Sequence, residues 1–291
     1  MKLSDIHIRD PYVLLHEGKY SPYGTRGATC WGAADGFDVF VSDDLENWSE
    51  PHEVFHNDGS FWADMHYWAP EVHKWNGAFY MFASFKAEGV CRCTCILKAD
   101  NPLGPFVPHN TRPITPAGWE CLDGTLYQSP AGKYYMVFCH EWVQAIDGEI
   151  WAMPLSDSLK APAGPPRLLF TASEANWIVP GRPVKGMPSF VTDGPFMWRT
   201  EDGSLLMLWA AFSHEGYTQG LAVSRNGEIT GEFRQVNPLF KKDGGHGMIF
   251  THTDGQMYLS IHSPNSASAG RKEMPVFVPI REENDTLVWD K

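Results

Sequence analysis

Five segments of the chain share one order of polar and apolar positions. Each starts at a polar or charged residue, continues through several apolar residues, turns at a glycine and returns as an aromatic-rich strand. The turn glycines, which lie 59, 55, 71 and 52 residues apart, are Gly18, Gly77, Gly132, Gly203 and Gly255. A hairpin that recurs about every fifty residues is typical of a β-propeller.

The remainder of each unit predicts a second hairpin. Residues 37–48, 96–106 and 150–159 each combine an apolar run with a polar turn and a second short run. Residues 79–85 form an apolar run of strand length, which predicts a middle strand that is buried on both faces. The predicted fold is therefore all-β: a single five-bladed β-propeller domain over residues 1–291, with four-stranded antiparallel blades.

A propeller brings the first strand of every blade to its central axis, so the residues that start these strands should meet there. In chain order they are Asp10, Glu71, Asp123, Asp193 and His246. We expect these side chains to face one another in a funnel. We also expect a strand at residues 6–8 to pair with the last blade, because this would close the ring and remove an exposed sheet edge.

The charge balance excludes two classes of partner. The chain has 23 Lys and Arg against 35 Asp and Glu, a formal net charge of −12, and no basic run. Nucleic acids and anionic membranes bind positively charged surfaces, so neither is an expected partner. Residues 1–10 contain no apolar core of a signal peptide, and no stretch of about 18 apolar residues follows. The sequence thus predicts a cytoplasmic location.

The cysteines predict free buried thiols and no metal site. Cys91, Cys93 and Cys95 alternate along one predicted strand, so they lie on one of its faces. Structural metal sites usually combine two closely spaced pairs of ligands, and this sequence has no second pair.

Three of the residues at the predicted axis are aspartates, and their grouping has a chemical consequence. Like charges raise one another's pKa, which places a protonated acid beside an ionised base. Glycoside hydrolysis requires such a pair, because the acid protonates the leaving oxygen while the base activates water. A single aspartate at a strand start more often binds backbone N–H groups, but three at equivalent positions of a repeat favour catalysis.

Several segments, in the same order along the chain, resemble motifs of glycoside hydrolase family 43. They are Ile8–Val13, Trp68–His73, Glu120–Leu126, Asp193–Pro195 and Gly244–Met248. The resemblance covers residues 8–265 and implies a five-bladed propeller that cleaves arabinose- and xylose-containing glycans with inversion.

The resemblance also implies roles for individual residues. Asp10 would be the general base, Asp123 the aspartate that tunes the pKa of the acid, and Asp193 the general acid. His246 would lie near the axis, either as a water-mediated ligand of a structural Ca²⁺ or Na⁺ ion or as a hydrogen-bonded structural histidine. No cofactor is required.

One position departs from the family pattern. Asp193 stands where the family usually has glutamate, so its carboxyl would lie roughly 1 Å farther from the glycosidic oxygen, a displacement that can reduce the rate on the order of a hundredfold. Glu141 and Glu215 are therefore alternative acids.

Four residues are predicted to bind substrate, and they are Glu71, Trp68, His140 and Trp142. Trp68 and Trp142 would act as stacking platforms for sugar rings. Trp31, His66 and Trp119 could also border the funnel.

These features predict an inverting, exo-acting glycosidase, an α-L-arabinofuranosidase or a β-xylosidase on plant-derived oligosaccharides. Exo action is favoured because a cytoplasmic enzyme would meet imported fragments. Two alternatives stay open. A glycoside phosphorylase on a similar propeller would need a cationic cluster, for which the sequence offers Arg92, Arg182, Lys185 and Arg199. A non-catalytic carbohydrate-binding propeller would account for the departure at Asp193. The oligomeric state does not follow from the sequence.

Overall fold

Five four-stranded antiparallel sheets are arranged as the blades of a five-bladed β-propeller, so the predicted fold is confirmed. The structure, a computed structural model, describes residues 1–110, 112–266, 272–284 and 286–289. Within each sheet, strands that are consecutive in the sequence are hydrogen-bonded neighbours, and each neighbouring pair is antiparallel.

Each blade consists of four strands that are consecutive in the chain. Blade 1 contains β1 (Ile8–His16), β2 (Lys19–Arg26), β3 (Gly36–Val39) and β4 (His52–His56). Blade 2 contains β5 (Met65–Trp75), β6 (Ala78–Ala87), β7 (Val90–Ala99) and β8 (Val107–Pro108). Blade 3 contains β9 (Cys121–Gln128), β10 (Tyr134–His140), β11 (Glu149–Leu155) and β12 (Arg167–Thr171). Blade 4 contains β13 (Asp193–Arg199), β14 (Leu205–Ser213), β15 (Gly216–Ser224) and β16 (Arg234–Gln235). Blade 5 contains β17 (Gly245–Thr251), β18 (Met257–Ser263), β19 (Met274–Glu283) and β20 (Thr286–Trp289). The helical elements are α1 (Trp142–Ala145) and the 3-10 turns Leu3–Asp5 and Ala172–Glu174.

The second strand of a blade carries much of its core. In β14 every residue from 205 to 211 is buried, and in β6 every residue from 78 to 85 is buried. These strands pack against neighbouring blades on both faces, which explains why their sequences are apolar throughout and do not alternate.

The ring closes through side chains, and the prediction that residues 6–8 pair with the last blade is wrong. β1 pairs only with β2, and β20 already supplies the fourth strand of blade 5. Arg9 Nη1 instead donates to Glu273 Oε1 at 2.9 Å, and Ser260 Oγ donates to the Pro11 carbonyl at 2.9 Å. Blades 1 and 5 are therefore joined by contacts between complete sheets.

Each innermost strand contains a bulge at one level of the funnel. The bulged residues have left-handed backbone conformations, with φ between 47° and 56°, and are Asp10, Ala69, Asp123, Gly194 and His246. The pairing register shifts at each of them. Each is followed by proline or glycine. A bulge interrupts the alternation of side chains between the two faces of a strand, so it sets which residues point to the axis.

The positions of the bulges show that the predicted equivalence of Glu71 and Asp193 with Asp10 is wrong. In blade 2 the residue equivalent to Asp10 is Ala69, two residues before Glu71. In blade 4 the equivalent residue is Gly194, so Asp193 lies one residue earlier. The five predicted positions are therefore not all equivalent.

All six cysteines are free thiols, as predicted, and all except Cys91 are buried. In the described parts of the chain, no helix combines the length and apolar character that a membrane span requires.

Candidate active site

A narrow pocket of about 70 Å³ adjoins a wide cleft of about 600 Å³ at the axis of the propeller. The residues that line both are Arg9, Trp31, Trp68, Leu122, Asp193 and Tyr217. Asp10, Asp123 and His246 line only the narrow pocket, and they are nearly buried. Glu141 and Trp142 line only the wide cleft. The three predicted catalytic aspartates and His246 therefore meet in one place.

Asp10 is held in its ionised form. Thr25 Oγ1 donates to Asp10 Oδ2 at 2.6 Å, and His246 Nδ1 lies 3.2 Å from Asp10 Oδ1. Burial alone would raise the pKa of Asp10, but the charge of His246, the contact with His262 and the charge of Arg9 outweigh burial and hold this pKa well below its usual range. An ionised carboxylate is what a general base requires.

His262 supports Asp10 from blade 5 as a neutral ring. The Asp10 backbone N–H donates to His262 Nδ1 at 3.1 Å, so this nitrogen carries no proton. The other ring nitrogen, Nε2, lies 3.0 Å from Asn265 Oδ1 and donates to it. Burial lowers the pKa of His262, which agrees with a neutral ring.

Asp123 is a buried carboxyl with a raised pKa. The Gly194 N–H donates to Asp123 Oδ2 at 2.9 Å, and the Asp123 N–H donates to Ser84 Oγ at 2.8 Å. Burial raises the pKa of Asp123 to about 7; His246 opposes this shift, while Asp193 and Asp10 add to it by repulsion. Asp123 therefore contacts both the backbone next to Asp193, at Gly194, and His246, which lies beside Asp10.

Asp193 is the carboxyl that faces both cavities. Tyr217 donates its hydroxyl proton to Asp193 Oδ2 at 2.9 Å, which leaves Oδ1 to carry a proton. Burial raises the pKa of Asp193 to about 6; the charge of His246 and the Tyr217 hydrogen bond oppose this shift, while the charge of Asp10 adds to it. A carboxyl whose pKa is raised towards neutrality is suited to be a general acid.

His246 lies between these carboxylates. Its Nδ1 is 3.2 Å from Asp10 Oδ1 and 3.7 Å from Asp123 Oδ2. Burial alone would lower the pKa of His246, but the three surrounding aspartates outweigh it and raise the pKa. The ring also packs on Gly194, where a Cβ atom would come within 2.6 Å of His246 Cδ2. The imidazolium thus compensates the charge of Asp10.

The contacts of His246 do not fit a directly coordinated metal ion. Nδ1 is occupied by the two aspartates, and the opposite edge of the ring packs on Gly194. Among the described residues, no group of three or more His, Cys, Asp or Glu side chains is arranged to hold a metal ion. The water-mediated Ca²⁺ or Na⁺ ion stays a prediction.

Two of the four predicted substrate-binding residues line the wide cleft. Trp68 is one, and Trp142 is the other, with the Arg182 guanidinium 5.1 Å from its ring centroid. Trp31, whose ring meets Trp68 edge-on at 5.4 Å, is 69% exposed and offers the freest aromatic face.

The structure does not bring Glu71 and His140 to either cavity. Glu71 is buried, and its Oε2 lies 3.2 Å from His73 Nε2. His140 has both ring nitrogens occupied, with Nδ1 2.7 Å from Glu149 Oε2 and Nε2 2.8 Å from Gln144 Oε1. Both residues therefore have structural contacts in place of the predicted substrate contacts.

The two alternative acids differ in position. Glu141 lines the wide cleft, and Arg92 Nε donates to its Oε2 at 3.2 Å. Burial raises the pKa of Glu141, although Arg92 opposes the shift. Glu215 has a side chain that is 62% exposed, lies 3.9 Å from Lys241 and lines neither cavity. Of the three carboxyls, only Asp193 reaches the narrow pocket.

Sequence reasoning missed Arg9, Tyr217 and His262, and it considered Arg92 only as a phosphate ligand. Tyr217 lies at the start of β15 and His262 near the end of β18. The sequence around these positions does not indicate that their side chains reach the axis of the propeller. Arg92 had a usable signal. It alternates with the cysteines of β7, so it must point to the other face of that strand.

The chain is similar to known glycoside hydrolases. The family model described as glycosyl hydrolases family 43 matches residues 5–278. The crystal structure of an endo-arabinase from Bacteroides thetaiotaomicron VPI-5482 is 38% identical, covers 98% of both chains and has a TM-score of 0.90.

Two more distant relatives complete the comparison. The extracellular exo-α-(1→5)-L-arabinofuranosidase ArbA of Cellvibrio japonicus is 25% identical over 284 residues, covering 85% of this chain and 79% of ArbA. A β-xylosidase/α-arabinofuranosidase from a compost microbial metagenome is 18% identical, with a TM-score of 0.76 over 100% of this chain and 96% of its own, and shares the fold. The chain belongs to glycosyl hydrolases family 43 and is a glycoside hydrolase.

Proposed function

We propose that this glycoside hydrolase is an inverting, exo-acting α-L-arabinofuranosidase that acts on short plant-derived oligosaccharides. One observation carries the proposal: Asp193 lines both cavities, whereas the ionised Asp10 lines only the narrow pocket. An acid and a base are thus available to one sugar in the narrow pocket. Arabinose is favoured over xylose because the relatives at 38% and 25% identity are named as arabinose-releasing or arabinan-cleaving enzymes.

The roles follow from the positions of the carboxyls. Asp193 gives the proton on Oδ1 to the glycosidic oxygen as the bond from the anomeric carbon to that oxygen breaks. A water molecule forms the new bond from the opposite face of the sugar and loses its proton to Asp10. Asp123 holds the Gly194 backbone beside the acid, and its carboxyl repels that of Asp193 when both are ionised. The leaving sugar departs through the wide cleft.

The arrangement of the cavities supports exo action. Most side chains that line the narrow pocket are buried or nearly so, with the exposed Trp31 at its edge, so the pocket suits a terminal sugar, and the wide cleft can receive the rest of the oligosaccharide.

The cytoplasmic location rests on the sequence alone and stays a prediction. The relative ArbA, by contrast, is named as an extracellular enzyme.

The test is the product pattern from linear α-1,5-arabino-oligosaccharides and from xylo-oligosaccharides. We expect arabinose as the first and only small product, with the inverted anomer seen by proton NMR before mutarotation. Internal cleavage to arabinobiose and arabinotriose would overturn exo action, and release of xylose alone would make the enzyme a β-xylosidase. A sugar 1-phosphate formed only in the presence of inorganic phosphate would identify a phosphorylase. No turnover of any glycan would favour a carbohydrate-binding propeller.

The pH dependence of catalysis is a further prediction. Asp193 must be protonated to act, and its pKa is raised to about 6, close to that of Asp123 at about 7. We therefore expect kcat/KM to fall as the pH rises through this range. No matching loss is expected in mild acid, because the pKa of Asp10 lies well below its usual range. A profile that stays flat through neutral pH would contradict Asp193 as the acid.

A further inference from the structure

The guanidinium of Arg92 has an unsatisfied donor at the wall of the wide cleft. Arg92 is 4% exposed, and its Nη1 is buried without a hydrogen-bond partner. The other two nitrogens are engaged, since Nε donates to Glu141 Oε2 at 3.2 Å and Nη2 lies 3.2 Å from His66 Nδ1. Buried charged donors are rarely left unpaired, so an acceptor atom, from a water molecule or from a ligand, is expected opposite Nη1.

The direction of this donor is set by a rigid aromatic support. The guanidinium carbon of Arg92 lies 3.6 Å from the ring centroid of Trp68, and the His66 ring stacks on Trp68 at 4.9 Å with an angle of 11° between the planes. Groups on opposite faces of an indole would be separated by about 7 Å, so Arg92 and His66 share one face. We call these three residues the Arg92 plate.

Hydrogen bonding within the Arg92 plate is consistent with this geometry. Burial lowers the pKa of His66, and the charge of Arg92 lowers it further, so Nδ1 of the neutral ring can accept from Arg92 Nη2. With Nε and Nη2 both held, the planar guanidinium cannot turn without breaking a contact. Nη1 is therefore preorganised.

The position of the plate indicates which sugar it would contact. Arg92 lines the wide cleft but not the narrow pocket, whereas Asp193 lines both. A general acid lies between the sugar that is cleaved and the leaving group, so Arg92 is on the leaving-group side. Glu141 compensates the charge of Arg92, and Glu120 lies 3.0 Å from the neighbouring Lys86, so no anionic substrate group is required.

We propose that Arg92 Nη1 donates a hydrogen bond to a hydroxyl oxygen of the neutral sugar on the leaving-group side of the scissile bond. The Arg92 plate is then the binding surface for that second sugar and a determinant of specificity for oligosaccharides. The proposal rests on the proposed function, in which Asp193 is the acid. It assigns Arg92 to substrate binding and not to proton transfer.

The first test compares a substrate that has a second sugar with one that lacks it. The variants are Arg92→Lys, which keeps a positive charge beside Glu141, and the double variant Arg92→Gln/Glu141→Gln, which removes both charges of the buried pair. Arg234→Lys, at an exposed arginine paired with Glu232, is the matched control. For arabinobiose we expect KM to rise with kcat little changed, so that kcat/KM falls by about 10- to 100-fold, the effect of losing one hydrogen bond from a charged donor; a fall in kcat would instead indicate loss of the general acid. For an aryl α-L-arabinofuranoside we expect little change.

The outcomes separate this proposal from the proposed function. If wild type hydrolyses neither substrate, the proposed function fails. If wild type is active but the Arg92 variants lose equal activity on both substrates, or on neither, the role of Arg92 in binding a second sugar is overturned. Xylobiose and an aryl xyloside replace the two substrates if the enzyme cleaves xylosides.

A second test leaves the protein unchanged and so does not depend on the variants folding. Wild type is assayed with arabinobiose analogues that each lack one hydroxyl of the reducing-end sugar. We expect one analogue to show a KM raised by about 10-fold or more, and the others to resemble arabinobiose. Equal KM values for all analogues would contradict the proposal.

Discussion

Asp10→Asn is expected to reduce kcat/KM by about 10²- to 10⁴-fold, the usual contribution of a general base. An amide cannot accept the proton of the attacking water. The substitution would also leave the positively charged His246, 3.2 Å away, without its principal charge partner. The measurement is kcat/KM on arabinobiose and on aryl arabinofuranosides with good and poor leaving groups.

The loss in Asp10→Asn should be similar for every leaving group, since water must be activated in each case. Circular dichroism and the thermal midpoint serve as the control for folding. The Thr25 hydroxyl can still donate to the amide oxygen, so the bulge should persist. Retention of near-normal activity on both classes of substrate would exclude Asp10 as the base.

Asp193→Asn is expected to have an equally large effect that depends on the leaving group. For arabinobiose, whose leaving alkoxide needs a proton, we expect kcat/KM to fall by about 10²- to 10⁴-fold. For an aryl arabinofuranoside with an acidic phenol, the loss should be much smaller because no proton transfer is needed. The decrease in kcat/KM through neutral pH should also disappear.

Glu141→Gln is the matched control, because Glu141 is a buried carboxyl that also lines the wide cleft. We expect it to keep the pH dependence and to show no dependence on the leaving group. The reverse result, with the leaving-group effect in Glu141→Gln, would assign the acid to Glu141.

Stability separates a catalytic loss in Asp193→Asn from misfolding. The pKa of Asp193 in the folded protein, about 6, lies above its ordinary value of 3.8. This carboxyl therefore contributes stability below that ordinary value, and the contribution is lost as the pH rises through about 6. Asparagine has no charge to bury, so at alkaline pH the variant should have a thermal midpoint equal to or above that of wild type.

Much of the architecture could be predicted from local patterns. The glycine turns and apolar middle strands indicate five units of two hairpins, and the structure has five four-stranded blades. Asp10, Asp123 and His246 were correctly placed at the axis, because each stands at the bulge of its strand. Each of these features is defined by residues close together in the chain, so it can be recognised from the sequence.

Other features depend on how the strands pair. Glu71 was predicted at the axis because it begins the second copy of the repeated segment, but the bulge in β5 puts Ala69 at that level. A bulge adds a residue on one strand only, and its position is set by pairing with the neighbouring strand. The closure of the ring likewise depends on contacts between blades 1 and 5, such as that of Arg9 with Glu273, which are far apart in the sequence.

Order along the chain was enough to predict the fold class, the number of blades, the family and three carboxyls of the candidate site, because repeats and motifs are properties of that order. Which carboxyl is ionised and which carries the proton follows only from the folded molecule, because pKa values depend on burial and on distances between residues far apart in sequence. The fold also determines that Arg9, Arg92 and Tyr217, from strands of three different blades, line one cleft. Such convergence is created by the packing of blades around the axis and leaves no local pattern.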